Sequence, residues 1–336
     1  MKDIQLKQQL KNVKESISLD LLDRKILYEL NLNGRATYAE IGKQVRLSKQ
    51  AIKERIEQLE KADIIKQYFA LIDIHRMGYT FYRLDLKLQN ITESKEKEIM
   101  QFILKLQKVI WLAEIHGKWD IAVIFLTKDI IEIDNNIKNI RWKFYKYIQE
   151  QSFSICTSHT RYKYGFLLNK EKEGKEIFMG REFHEDKMSD IERKVLALLA
   201  KEGRISLTAL AQRLHTSVST VKYAMKKLFA KKILIGFDVL LDLQKIGYLH
   251  YKLFINFQNP SEEKEKKLEQ YFRDHPNIIF MTKSLGRSDI ECEIIVKSLQ
   301  EFRSLLREMK HIFSDLIKDV ESYIVMHEYL TNYYPV

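Results

Sequence analysis

One spacing constrains this chain more than any other feature: residues 22–78 recur as residues 191–247, at an offset of 169 positions. Gly34-Arg35 falls on Gly203-Arg204, Ser48 on Ser217, Lys53 on Lys222, Leu59 on Leu228, Asp73 on Asp242 and Gly78 on Gly247. The register continues without a gap. Gly117-Lys118-Trp119-Asp120 meets Gly286-Arg287-Ser288-Asp289, Phe144 meets Phe313, and Ile155 meets Ile324. Self-similarity of this kind has to be read before any single element, because it makes the fold two copies of one plan. The chain has 336 residues, 45% of them hydrophobic, so each copy has enough apolar surface for its own cores.

Each copy opens with three short helical patterns. In the first, Leu22, Ile26, Leu27 and Leu30 form one apolar stripe over about 20–32. Asn33-Gly34 ends it, with Gly34 suited to a left-handed cap. Thr37 and Glu40 have the spacing of a capping box for a helix over 38–45. Ser48 caps a third helix over 49–62, whose inner stripe is Ile52, Ile56 and Leu59. Two helices joined by so short a turn form a helix-turn-helix, and its second helix is the one that enters a DNA groove. The β-rich run at 64–73 fits the wing strands of a winged helix.

A strand at 79–89, a helix at 92–107, strands at 109–115 and 120–126, a helix at 129–147 and a strand at 151–162 follow. Their order, β-α-β-β-α-β, is the ferredoxin-like split unit. Residues 165–187 are charged and interrupted by Gly174 and Gly180, so they read as a linker, after which the plan restarts at Met188. The expected fold class is therefore α+β, with two winged helix-turn-helix domains and two ferredoxin-like βαββαβ domains in tandem. The expected boundaries are 1–18 for an N-terminal basic arm, 19–76 and 188–245 for the heads, and 77–164 and 246–336 for the sheet domains.

Charge points to a polyanionic partner. The chain has 57 Lys and Arg against 46 Asp and Glu, a formal net charge of +11. Its distribution is unequal. From Ser217 to Lys232 there are Lys222, Lys226, Lys227, Lys231 and Lys232 and no acid, whereas the first copy sets Glu54, Glu57 and Glu60 among Lys49, Lys53, Arg55 and Lys61. Cys156 and Cys292 do not share the repeat offset, and read as reduced thiols of a cytoplasmic protein. The sequence holds no apolar run of about 18 residues, so no membrane contact is expected. The His residues show no ligand spacing, and no Gly-rich phosphate loop or nucleophile elbow occurs, so no metal, cofactor or catalytic residue is expected.

Taken together, these residues resemble the Lrp/AsnC (feast/famine) family of bacterial and archaeal transcription regulators. The resemblance rests on LDLLDRKILYEL, NGRATYAEIG, LSKQAIKERIEQLE and GKWD in the first copy. In the second it rests on IERKVLALL, EGRISLTALAQRL, TSVSTVKYAMKKL and GRSD. It covers nearly the whole chain, twice, and implies a winged helix-turn-helix joined to a RAM-type effector and dimerisation domain. The chain departs from the family in fusing two modules. Asp63 and Lys232 stand where the family has a glycine after the recognition helix, and the family's late arginine is Arg55 in one copy but Ala224 in the other.

The expected function is that of a sequence-specific regulator binding double-stranded DNA as a single-chain pseudo-dimer, with further homo-oligomerisation open. The expected DNA-contacting residues are Arg35, Ser48, Lys49, Gln50, Lys53 and Arg55 in the first head, and Arg204, Ser217, Ser219, Thr220, Lys222, Tyr223 and Lys226 in the second. Gln50 suits an adenine edge, and the lysines suit phosphate or guanine. Arg35 and Arg204 have two open readings, DNA backbone or a brace of the wing. In the second head Val221, Met225 and Leu228 are expected inside and Val218 outside. Gly117, Trp119, Asp120, Gly286, Ser288 and Asp289 fit tight hairpins whose aspartates bond the turn backbone. The resemblance adds that a small effector such as an amino acid binds near them.

Two alternatives use the same module. Siroheme decarboxylases pair two such modules, but a lysine-rich recognition helix is out of place in them, and the sequence shows no His/Arg group that prepares a tetrapyrrole pocket. Winged helices also serve as protein-binding scaffolds.

Overall fold

The computed structural model describes residues 16–170, 176–180, 185–332 and 334. Residues 1–15 of the expected arm, and 171–175 and 181–184 of the expected linker, lie outside them.

Head one comprises α1 (Leu21–Leu32), α2 (Tyr38–Val45) and α3 (Lys49–Lys61). Asp20 caps α1, the Thr37/Glu40 capping box closes α2, and Ser48 Oγ accepts from the Ala51 amide at α3. The inner stripe of α3 is Ile52, Ile56 and Leu59, all buried. Strand β1 (Ile65–Ile72) follows, and then the first sheet module. That module holds β2 (Thr80–Leu88), α4 (Glu93–Leu104), β3 (Val109–Gly117), β4 (Ile121–Thr127), α5 (Ile130–Phe144) and β5 (Ile148–Arg161).

The expected linker forms structure of its own: β6 (Ile177–Met179) pairs with β5, and Met77 bridges Glu185. Head two holds α6 (Asp190–Lys201), α7 (Leu207–Arg213) and α8 (Val218–Ala230), followed by β7 (Leu234–Leu241). The second sheet module is β8 (Leu249–Phe257), α9 (Glu262–Asp274), β9 (Ile278–Leu285), β10 (Ile290–Val296), α10 (Leu299–Ile312) and β11 (Ile317–Thr331).

The two sheets do more than stack. Within each module the strand order is that of the split βαβ unit, β5-β2-β4-β3 and β11-β8-β10-β9. The edges then pair across the repeat, β3 with β11 and β5 with β9, all antiparallel. The eight strands thus close into one ring, which removes the open edges that would otherwise invite another chain. Helices α4 and α5 cover one module's outer face over Leu84, Leu86, Val123 and Phe125, and α9 and α10 cover the other over Leu253, Ile255, Cys292 and Ile294. The lumen is mixed, with Trp111, Trp119, Phe254 and Tyr323 beside buried charges.

The heads are crossed as well. The expected wing hairpin is absent from the described residues of head one. Instead β1 pairs antiparallel with β7 of the other copy, with Phe69 opposite Asp238 and Leu71 opposite Gly236. Head one completes its core on Val239 and Leu241 of β7, with Tyr248, Ile279 and Ile295 of the second module. Head two completes its core on Ala70 and Ile72 of β1, with Ile74, Ile110 and Leu126 of the first. Each valine, leucine or isoleucine among them contributes about 1.5–3 kcal/mol when fully buried, so neither head has its full core without the other copy's strand.

This exchange also explains the Gly-Arg pairs. Gly34 and Gly203 do not have the left-handed backbone expected of a helix cap. Gly34 lies against β7, where an added Cβ would stand 2.6 Å from the Asp238 carbonyl, and Gly203 lies against β1, where it would stand 2.6 Å from the Phe69 amide. The requirement is close backbone approach across the repeat. Asp63 and Lys232 do take left-handed backbone, both at φ 55°, so the family's glycine turn is kept by residues with side chains.

Candidate nucleic-acid interface and effector chamber

The recognition helices are α3 and α8. In head one Ser48, Lys49, Gln50 and Lys53 are exposed. Gln50 Nε2 donates to Glu54 Oε1 at 2.8 Å, and Lys53 pairs with Glu57 at 3.6 Å. In head two Ser217, Ser219, Lys222, Tyr223 and Lys226 are exposed, and Thr220 is half-buried. Ser217 Oγ accepts from the Thr220 amide at 3.1 Å and clusters with the hydroxyls of Ser219 and Thr220 at 2.6 and 2.8 Å. Lys227 lies over the Tyr223 ring, 4.7 Å from its centroid. Lys222 and Lys226 have no ion-pair partner among the described residues. The inner stripe of α8 is Val221, Ala224 and Leu228, while Met225 and Val218 are half-buried, so Ala224 takes the place expected for Met225 and Val218 is not outside.

Three expected DNA contacts are committed elsewhere. Arg55 lies one repeat from Ala224, on the side of α3 that faces α1. Its guanidinium donates to Asp20 at 2.8 Å and Asp23 at 2.6 Å, which raises its pKa. Arg35 crosses to head two and donates to the carbonyls of Gly203 and Ile205 at 2.9 and 3.0 Å, over the Phe237 ring. Arg204 returns the contact, donating to the Ala36 carbonyl at 2.9 Å over the rings of Tyr38 and Tyr68. Burial, and then the charge of Arg204, lower the pKa of Arg35. These two arginines brace one head against the other.

At the far end of the ring lie the expected effector residues. The Asp120 carboxylate accepts from the Leu88 amide at 2.6 Å and from Lys87 at 3.3 Å. Asp289 likewise accepts from the Phe257 amide at 2.7 Å. Each aspartate thus ties a hairpin to the end of a neighbouring strand. Gly117 and Gly286 let these hairpins lie against the other module's last strand, at Ser322 and Phe153. Trp119 is buried, donates to Glu321 at 2.8 Å, and lies under the Arg287 guanidinium, which pairs with Asp85 and Glu321. Ser288 is buried on Ser284.

The ring's other end, beneath the β1–β7 ribbon, holds a chamber of about 140 Å³. None of the six hairpin residues lines it. Its walls carry a His/Arg group that sequence reasoning missed: Arg83, Arg161, His159, His250 and Lys252, delivered by β2, β5 and β8. Phe69, Phe81, Trp111 and Phe280 supply much of the apolar surface.

The cations are matched. Arg83 lies 3.6 Å from Glu291 and donates to Tyr323 Oη at 2.6 Å. Lys252 bridges Glu291 and Glu293 at 3.0 and 3.1 Å, and His250 meets Glu293 at 3.1 Å. Arg161 holds Asp238 at 2.5 Å. Burial opposes charge on Lys252, yet Glu291 and Glu293 prevail and raise its pKa. Burial likewise opposes charge on Glu293, but Lys252 and His250 hold it well below the carboxylate range. Burial pushes the Cys156 thiol up to about 12, so it stays protonated and unreactive. Among the described residues no group of three or more His, Cys, Asp or Glu gathers as a metal site would, and no helix is long and apolar enough to cross a membrane.

Three family descriptions match the chain: an AsnC-type helix-turn-helix domain over residues 19–60, a winged helix-turn-helix DNA-binding domain over 188–231, and an Lrp/AsnC ligand binding domain over 253–335. An HTH-type transcriptional regulator of Pyrococcus furiosus is 32% identical over 130 residues, which are 38% of this chain and 84% of that protein. The HTH-type transcriptional regulator FL11 of Pyrococcus horikoshii is 31% identical over 119 residues, 35% of this chain and 78% of that one. Each match spans about one module. Among solved structures, the siroheme decarboxylase NirDL covers 94% of both chains with a TM-score of 0.62, at 10% identity. That likeness concerns the fold, including the pairing of two modules.

Proposed function

The chain belongs to the Lrp/AsnC family of transcription regulators, and on that premise we propose that it binds double-stranded DNA sequence-specifically as a single-chain pseudo-dimer. The observation that carries this reading is the pair of exposed recognition helices held on one scaffold. Each is joined through three residues to the shared ribbon, α3 to β1 and α8 to β7. Ser48, Lys49, Gln50 and Lys53 face DNA from head one, and Ser217, Ser219, Thr220, Lys222, Tyr223 and Lys226 from head two. The hydroxyl cluster at the start of α8 and the lysines behind it suit phosphate, and Gln50 suits a base edge. A small effector, such as an amino acid, modulates binding, and the chain acts in the cytoplasm without catalysing a reaction.

Selection from a pool of genomic duplexes, followed by footprinting, tests this reading. The expected operator is asymmetric, with two unequal half-sites about one helical turn, or 34 Å, apart. Equal protection of a perfect palindrome, or no binding at any salt concentration, contradicts it.

The fold likeness to NirDL favours a second reading, a siroheme-decarboxylase-like enzyme. The chamber does not fit that substrate. Its 140 Å³ is close to the roughly 150 Å³ of a cavity that holds one benzene, while a tetrapyrrole links four rings and carries several carboxylates. Its cations are also already paired. A tetrapyrrole absorbance shift on incubation with siroheme would revive this reading.

A further inference from the structure

We propose that the chamber beneath the ribbon is a binding site for a small, electrically neutral, mostly apolar molecule whose one hydrogen-bonding group meets His159. This narrows the small-effector part of the proposed function to an uncharged molecule in place of an amino acid and rests on it for biological meaning, but the binding itself is independent of DNA.

His159 on β5 is only 6% exposed. Its Nδ1 lies 3.1 Å from Thr282 Oγ1, while its Nε2 is buried without a hydrogen-bond partner. A buried imidazole nitrogen left unmatched is destabilising, and an occupant of the chamber would relieve that cost. The ring is fixed around it, with Phe81 edge-on at 4.6 Å and Phe280 at 5.7 Å between centroids. Burial keeps the imidazole neutral, with its pKa far below the ordinary value.

Size and charge define the occupant. A space of about 140 Å³ takes one six-membered ring with a short substituent. The lysine and arginine wall groups already have their counter-charges: Arg83 and Lys252 on Glu291, Lys252 on Glu293, Arg161 on Asp238. Glu328 accepts from Trp111 Nε1 at 2.6 Å. An anionic ligand would enter without a free cation to meet it and would bind much more weakly in this setting. A neutral one keeps the network intact and gains the aromatic walls. Its position matters, because the roof formed by β1 carries Phe69, Ala70, Leu71 and Ile72 and continues the chain from α3.

Calorimetric titration of the full chain with three probes of one size tests the proposal, with Trp111 fluorescence as a second readout. Benzyl alcohol is expected to bind saturably, one per chain. Toluene, which lacks the hydroxyl, should bind about fivefold more weakly, and benzoate at least about a hundredfold more weakly. His159→Phe should erase the preference for benzyl alcohol over toluene. Ala70→Leu, which fills the chamber, should weaken all three, with circular dichroism confirming that both variants are folded. No saturable binding of benzyl alcohol to the wild-type chain overturns the proposal, as does an unchanged preference in His159→Phe. The titration contains no DNA, so failure to bind DNA would sink the regulator reading and leave this result standing.

Discussion

Beneath head one, Asp238 accepts from Asn31 at 2.8 Å and from Arg161 at 2.5 Å, while Asn31 Oδ1 accepts from the Tyr164 amide at 2.7 Å. One repeat away, the residues matching Asp238, Asn31 and Arg161 are Phe69, Ala200 and Leu330, all hydrocarbon. At this one position head one is therefore held by directional bonds and head two by non-directional apolar contact. The joint between ribbon and sheet also differs in its residues. His75 is buried in the first copy, and Gln244, its counterpart, donates to the Met326 carbonyl in the second. Directional contacts fix one orientation, whereas apolar contacts permit small shifts at little cost. The duplication has thus produced a head with a mixed-charge helix over a polar cluster and a head with a lysine face over an apolar one.

The largest break in this comparison should come from Asp238→Ala. It leaves Arg161 buried without its carboxylate and should lower unfolding free energy by about 3–5 kcal/mol, measured by urea denaturation. Replacing the pair together, Asp238→Leu with Arg161→Met, should cost far less, and a cost equal to the single variant would refute the role given to this ion pair.

The second effect is a pH dependence contributed by the first copy's joint. Burial lowers the His75 pKa to about 4, against 6.5 for an ordinary histidine. The unfolded chain takes up this proton first as pH falls, so stability is full above about 6.5 and declines between 6.5 and 4, by up to roughly 3 kcal/mol. His159 acts in the same direction. His75→Gln, which copies the second joint, should flatten part of the decline in urea midpoints between pH 7 and 5. An unchanged profile would show that the joints do not differ in this way.

The braces give the smallest contrast. Arg35 donates to two carbonyls across the heads and Arg204 to one. Arg35→Ala should cost about 2 kcal/mol and Arg204→Ala about 1, read from calorimetric melting. The reverse order would mean that the aromatic rings beneath them, rather than the hydrogen bonds, carry the contact.

Much of this was legible in the sequence, because the decisive signals are local or repeat-wide. The stripe Ile52, Ile56 and Leu59, the cap Ser48 and the strand runs each follow from periodicity over a few residues. The crossing of the ribbon does not: β1 and β7 pair across more than a hundred residues, and nothing within 64–73 distinguishes a wing from an exchanged strand. The chamber was hidden for the same reason, since Arg83, His159 and Lys252 converge from three strands. One missed signal was present. Arg55 aligns with Ala224, and a position that accepts alanine in one copy of an amphipathic helix next to its core stripe points to a protein-facing site rather than a DNA contact. The non-glycine turns at Asp63 and Lys232 were visible, though their left-handed backbone was not.

The most direct test of the two-head account is the salt dependence of DNA affinity, followed by fluorescence anisotropy on the selected operator. Each phosphate contact adds about 0.9 to the steepness of log affinity against log salt. Lys222→Ala with Lys226→Ala should reduce that slope by about 2 and weaken operator and random duplex alike. Lys49→Ala with Lys53→Ala should reduce it by less, since Lys53 is already paired with Glu57. Gln50→Ala should leave the slope in place and lower discrimination between operator and random duplex. Equal slopes for the two lysine pairs, or a slope unmoved by both, would contradict the account.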